Sequence, residues 1–253
     1  MTKIIMSGCN GKMGQMITGL VAADEEAEIV AGIDTYMGIQ NTYPVFANIA
    51  ECEIKADAII DFSAPACLDD ILQYAIEKQV PAVLCTTGYT KEQIAQIEEA
   101  SKQVAILKSA NMSMGINLLI KLLREAAPVL EEAGFDIEIV EKHHNLKKDA
   151  PSGTALALAD AVNESLDGKL TYVYDRSQRM QARDRKELGL SAVRGGTIVG
   201  DHDVIFAGTD EVITFSHSAY SKGVFGKGAI QAAKFIKGKP AAHYEMSDVI
   251  NAG

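Results

Sequence analysis

No apolar stretch of this 253-residue sequence approaches the ~18 residues that a membrane-crossing helix needs, so no membrane partner is expected. Nor does a signal-like segment open the chain, because residues 1–7 lead straight into a glycine turn at Gly8. Cysteine is scarce: Cys9, Cys52, Cys67 and Cys85 are scattered, with no C-x-x-C pair. That spacing argues against a metal site or a disulfide scaffold and for a reducing compartment, which makes the cytoplasm the expected location. Positive charge is in deficit, with 24 Lys and Arg against 34 Asp and Glu and a net charge of −10. Phosphate neutralisation needs a basic face, so nucleic acid is not expected as a partner. What the chain does have is an ordinary globular composition, 47% apolar and 23% charged, and enough length for one large domain or two modest ones.

The first half alternates strand and helix. Short apolar runs at 3–7, 28–33, 57–63, 81–87 and 104–110 are separated by helical patterns at about 11–23, 65–79 and 91–102. The runs are nearly continuous rather than alternating, as strands of a parallel sheet buried on both faces must be. The spacing therefore predicts a doubly wound α/β domain over 1–111. The pattern then changes. A long helix is expected at 112–133, with Leu118, Leu119, Leu122, Leu123, Ala126 and Leu130 on one stripe. A strand at 135–144, a polar loop, a helix at 155–166 and strands at 170–175, 202–208 and 211–218 follow. This reads as a second, α+β domain over 112–221 with a mixed, mostly antiparallel sheet, before a last helix at about 227–237.

Gly8-Cys9-Asn10-Gly11-Lys12-Met13-Gly14 follows the first strand and opens the first helix. Gly8 permits a sharp turn, Gly11 lets backbone approach a pyrophosphate, and Gly14 lets helix and strand lie close. The spacing is one residue longer than the common dinucleotide fingerprint, so a glycine-rich structural turn is the competing reading. The setting favours the nucleotide: strand before, helix after, and Asp34 at the end of the second strand. A carboxylate there suits the two ribose hydroxyls of NAD and repels a 2′-phosphate, which favours NADH over NADPH. Thr86, Thr87, Gly88 and Asn111 fall at the carboxyl ends of later strands, where such sheets hold ligands, although turn chemistry also explains them.

The most informative stretch runs from Glu141 to Ala155. Lys142, His143, His144, Lys147 and Lys148 make a basic cluster in an acidic protein; a solvated loop would explain it, and so would a dianionic substrate. Adjacent histidines on a strand point to opposite faces, so they are not a metal pair. Pro151-Ser152-Gly153-Thr154 starts a helix that Ser152 or Thr154 can cap, and the free N–H groups there make a seat for a carboxylate. One segment thus offers a proton donor near neutral pH, an ammonium and an anion site, which is equipment for reducing a small polycarboxylate.

With its E-K-H-H-N-x-K-x-D-A-P-S-G-T-A segment, the chain resembles the 4-hydroxy-tetrahydrodipicolinate (dihydrodipicolinate) reductase family. The likeness extends to G-x-x-G-x-M-G at the N-terminus, D-F-S at 61–63, T-T-G at 86–88, S-A-N-M-S-x-G-x-N at 109–117 and R-G-G-x-I-V-G-x-H at 194–202. The resemblance implies a Rossmann-type first domain, NADH or NADPH as cofactor, and a small cyclic dicarboxylate substrate in lysine biosynthesis. It implies His143 as general acid/base, Lys147 as proton donor, His144 as a substrate contact, and Gly153 and Thr154 as carboxylate binders alongside Ser152. Gly8, Cys9, Asn10, Gly11, Lys12, Met13, Asp34, Cys85, Thr86, Thr87, Ser109, Ala110, Asn111 and Met112 would line the cofactor site. A homotetramer built by the second domain, and a C-terminal segment of about 222–253 returning to the first, are also implied. Where the family often has S-R-x-x-F-A-x-G-A, this chain has Ser221-Lys222-Gly223-Val224-Phe225-Gly226-Lys227-Gly228-Ala229. Lysine lacks the planar fork of arginine, so residue 222 is not counted as a cofactor contact. Two other readings share the nucleotide domain: a different amino-acid dehydrogenase, and a non-catalytic dinucleotide sensor. The histidine–lysine segment argues against both.

Overall fold

Strands and helices alternate from the start of the computed structural model, which describes residues 1–109 and 111–252. In chain order they are β1 (Thr2–Ser7), α1 (Lys12–Val21), β2 (Ala27–Ile33), β3 (Val45–Phe46), β4 (Ala58–Asp61), α2 (Leu68–Lys78), β5 (Ala82–Leu84), α3 (Lys91–Ser101) and β6 (Ile106–Lys108). Then come α4 (Met114–Glu132), β7 (Asp136–His143), α5 (Gly153–Glu164), β8 (Thr171–Val173), β9 (Glu187–Arg194), β10 (Gly200–Ala207) and β11 (Val212–Ala219). The chain ends with α6 (Gly223–Ile236), β12 (His243–Tyr244) and α7 (Met246–Asn251). Two compact units result, one of residues 1–114 with 223–253 and one of residues 115–222.

In the first unit the described residues form a seven-stranded parallel sheet ordered β12-β6-β5-β4-β1-β2-β3. Neighbouring residues of one strand feed different cores: Ile4 and Met6 pack with α1 and α6, while Ile5 packs with α2 and α3. Ile60 and Ile59 divide in the same way. That is why the runs are apolar at every position. The strand order reverses direction between β1 and β4, which opens a crevice at their carboxyl ends. Two short strands, β3 and β12, carry too little apolar sequence to announce themselves and are held by their neighbours β2 and β6.

The second unit has a five-stranded sheet ordered β11-β10-β7-β9-β8. It is mixed, but evenly so: β11–β10 and β10–β7 are antiparallel, whereas β7–β9 and β9–β8 are parallel. The antiparallel majority expected from sequence does not hold, because β9, which lies outside the runs expected as strands, pairs parallel with both β7 and β8. Its sequence, ELGLSAVR, breaks the apolar pattern at Gly189 and Ser191. The glycine has a packing reason, since a Cβ at 189 would collide with the Glu138 carboxylate and approach the Arg176 guanidinium. These two groups form an ion pair.

Leu119, Leu123 and Ala127 of α4 and Leu158 and Val162 of α5 pack on Ile137, Ile139, Leu188, Leu190, Val204 and Phe206 of the sheet. The expected helical stripe is narrower than sequence suggested. Ile116, Leu119, Leu123 and Ala127 are buried, while Leu118 and Leu122 stand 45% and 41% exposed. Phe206 is fully buried and meets Phe215 edge to face at 5.9 Å. Phe206→Ala should cost about 3–5 kcal/mol of stability, read as a lowered urea midpoint with an unchanged slope.

Candidate active site

The glycine loop joins β1 to α1 at the crevice. Gly8 sits at φ +77°, and a Cβ there would come within 2.6 Å of the Phe62 carbonyl oxygen. A Cβ at Gly14 would collide with the Gly8 carbonyl, so both positions are closed to side chains. Gly11 is different: it is exposed, and its nearest neighbour would be the Gly8 oxygen at 3.3 Å. Gly11 is also the N-cap of α1 without a side-chain cap, and no acidic residue stands in the first turn. The helix N-terminus, with Lys12 exposed and Met13 half-buried beside it, thus keeps its donors for an anion. A cleft of about 410 Å³ runs past Gly8, Gly11, Asp34, Thr35, Phe62 and Ala64. These residues fit a dinucleotide, because the one open glycine lies at the uncapped helix end.

Asp34 binds the loops together. Its Oδ2 accepts the Asn10 N–H at 3.0 Å and its Oδ1 the Tyr36 N–H at 2.9 Å. The Asn10 side chain donates to the Tyr36 carbonyl and accepts from Asn41 Nδ2 at 2.7 Å. Cys9 turns away: it is fully buried against Gly32 and Tyr43, and burial, with Asp34 nearby, pushes its thiol up to about 11. Only its main chain is left to meet a ligand. Cys85 is likewise buried, and burial raises its thiol too. Thr86 gives its hydroxyl to Asp61 at 2.7 Å. Thr86, Thr87 and Ser109 line a second, smaller cleft with Gly88 and Lys108. Ser109 Oγ donates to the Asn111 carbonyl at 2.9 Å, Asn111 Oδ1 accepts the Ser113 N–H, and Met112 is packed in the core. Ala110 lies outside the described residues. Phe62, Ser63 and Ala64 were not among the expected contacts. Their signal was positional, since they follow β4, the strand across the crevice from the glycine loop.

In the second unit β7 turns Ile137, Ile139, Glu141 and His143 to its buried face. Glu141 is 1% exposed and accepts four hydrogen bonds. His143 Nδ1 donates at 2.6 Å, the Ser152 N–H at 3.0 Å, and Arg194 through both terminal nitrogens at 2.7 Å each. Burial pushes the Glu141 carboxyl up, but Arg194, His143 and the Ser152 amide outweigh it and hold it below the usual carboxylate range. His144 is half-buried. On the following loop Lys147 Nζ pairs with Asp149 at 2.9 Å, which holds that carboxyl low. Arg194 also donates to the Asp149 carbonyl.

Of the two candidate caps, Ser152 caps α5, accepting the Ala155 N–H at 3.1 Å. Its hydroxyl also meets His202 Nε2 at 3.1 Å, so this side chain, 2% exposed, is committed within the protein. Gly153 is exposed and Thr154 half-buried at the first turn. His202 stands edge-on to His143, with centroids 5.1 Å apart, and burial, reinforced by His143, pushes it down to about 4. Glu141, Arg194 and His202 received no role from sequence, although all three lie inside the motifs quoted above.

A parallel nucleotide-binding sheet with an open helix N-terminus, and an α+β unit presenting imidazole, ammonium and a helix start, define a nicotinamide-dependent reductase. Comparison with known proteins narrows the class. The chain belongs to the dihydrodipicolinate reductase family: the family's N-terminal model matches residues 2–112 and its C-terminal model residues 115–250. It is 51% identical to the 4-hydroxy-tetrahydrodipicolinate reductase of Caldanaerobacter subterraneus subsp. tengcongensis, covering 100% of both chains. It is 48% identical to that of Clostridium tetani, covering 100% of this chain and 98% of the relative. The fold matches the dipicolinate-bound dihydrodipicolinate reductase of Paenisporosarcina sp. TG-14 with a TM-score of 0.82 at 24% identity, over 98% and 99% of the two chains.

Gly11→Val should place a branched side chain in the open space at the uncapped end of α1 without disturbing the fold. The expected result is a normal thermal unfolding curve and no measurable NADH binding by fluorescence titration. Retained binding would remove Gly11 from the site.

Proposed function

We propose that the protein reduces 4-hydroxy-tetrahydrodipicolinate to tetrahydrodipicolinate with NADH or NADPH, in the diaminopimelate route to lysine. The observation that carries this reading is the cluster at the end of β7: His143 on a buried carboxylate, the Lys147 ammonium, and the first turn of α5 within one segment. Replacing the C4 hydroxyl by hydrogen takes one hydride and one proton and releases one water. The nicotinamide supplies the hydride when bound.

His143 acts as general acid/base, and Lys147 donates a proton close to the carbon being reduced. His144 contacts the substrate. Gly153 and Thr154 hold one substrate carboxylate at the α5 N-terminus, where backbone N–H groups and the helix dipole favour an anion. Ser152 supports them as the cap. In the first unit, the loop from Gly8 to Met13 seats the pyrophosphate and Asp34 takes the ribose hydroxyls, with residues 85–87 and 109–112 completing the cofactor contacts. The enzyme works in the cytoplasm as a homotetramer. In support of assembly, the sheet face opposite α4 and α5 leaves Val193 and Val212 47% and 62% exposed.

His143→Gln and Lys147→Ala should each lower kcat by about 10²–10⁴-fold while leaving NADH affinity unchanged, measured with freshly made upstream condensation product. Near-wild-type kcat would remove that residue from the mechanism, and no NADH or NADPH oxidation by the wild type would overturn the assignment.

Asp34 favours NADH, because the 2′-phosphate of NADPH would face a carboxylate already fixed by two backbone N–H groups. The expected kcat/KM is higher with NADH, and Asp34→Ala should narrow the ratio. A clear NADPH preference in the wild type would overturn the electrostatic argument.

A further inference from the structure

Glu141 stands on β7 two residues before His143 and on the same face. A carboxylate this buried must be met by donors, and four hydrogen bonds converge on it. Ionised, it is acceptor-only, so His143 Nδ1 must carry the hydrogen in the bond between them. The other ring nitrogen, Nε2, lies against Gly200, where a Cβ would come within 2.9 Å of it.

Arg194 faces the pair from β9, in register with His143. Its NH1 reaches Glu141 and the Val193 carbonyl, and its NH2 reaches Glu141 and the Asp149 carbonyl. The terminal nitrogens are therefore spent on the protein rather than held out to an anion. From β10, His202 closes the edge of the His143 ring. It is uncharged at neutral pH and bonded to Ser152, so it does not compete for the carboxylate.

We propose that Glu141 is a positioning residue for the reaction, fixing His143 with Nδ1–H toward the carboxylate and Nε2 as the atom that exchanges the proton, while Arg194 holds Glu141 and not the substrate. This rests on the reading of His143 as general acid/base.

The test compares Glu141→Gln, Glu141→Asp, the double variant Glu141→Gln/Arg194→Met, and His143→Gln. Each is measured for kcat and KM with NADH and substrate, and for NADH binding and Tm. Glu141→Gln is expected to lower kcat about 10²-fold with NADH binding unchanged. Glu141→Asp should recover part of the rate. The double variant, freed of the unpaired guanidinium, should regain stability and remain slow. Wild-type kcat in Glu141→Gln, or recovery of wild-type kcat in the double variant, would show that Glu141 only keeps Arg194 company. Unaltered kcat in His143→Gln would overturn the His143 reading itself, whatever Glu141 does.

Discussion

A carboxylate removed from water must find its full complement of donors inside the protein, and in the second unit that demand falls on Glu141. Each of its partners comes from a different piece of chain: His143 from the same strand, Arg194 from β9, and the Ser152 amide from the start of α5. Meeting the demand fixes where β7 ends, where α5 begins and how the intervening loop is slung between them. Arg194 extends the arrangement to the Asp149 carbonyl, and Asp149 takes the Lys147 ammonium. Removing one partner would leave another buried charge unmatched, and this makes the cluster behave as one object.

The nucleotide unit uses carboxylates in a related way, at the carboxyl ends of its strands. Asp61 is fully buried and accepts from the Ser63 N–H and hydroxyl and from Thr86, which ties the loop after β4 to the loop after β5. Asp34 joins the glycine loop to the turn after β2. In both cases a polar side chain where the sheet ends replaces hydrogen bonds that the strands no longer supply. The crevice these loops border exists because strand order reverses between β1 and β4, a property of connectivity rather than of any one residue.

Much of this is legible in the sequence. Continuous apolar runs showed that the first sheet is covered on both faces, and Gly8 and Gly14 announced a turn and a close helix approach that the geometry bears out. Misreadings arose where a residue's reason lay in a distant partner. Gly189 interrupts the apolar pattern of β9 because the Glu138–Arg176 pair passes there. Leu118 and Leu122 belong to the apolar band of α4 but not to the part that meets the sheet. Ser152 caps α5, as its place before the helix suggests, but its hydroxyl also meets His202, a partner that spacing along the chain does not announce.

By itself, then, the sequence determined the layers of the nucleotide unit, the glycine loop and the presence of imidazole, ammonium and helix start in one short segment. These depend on local geometry: the period of strands and helices, the freedom of glycine, and the spacing of neighbours along the chain. Tertiary structure alone decided that Glu141 is the hub of that segment. Arg194 lies 53 positions away and His202 a further eight, and only strand pairing of β9 and β10 on β7 brings them to His143. Hydrogen bonding and burial act across space, so their partners cannot be read from spacing along a chain.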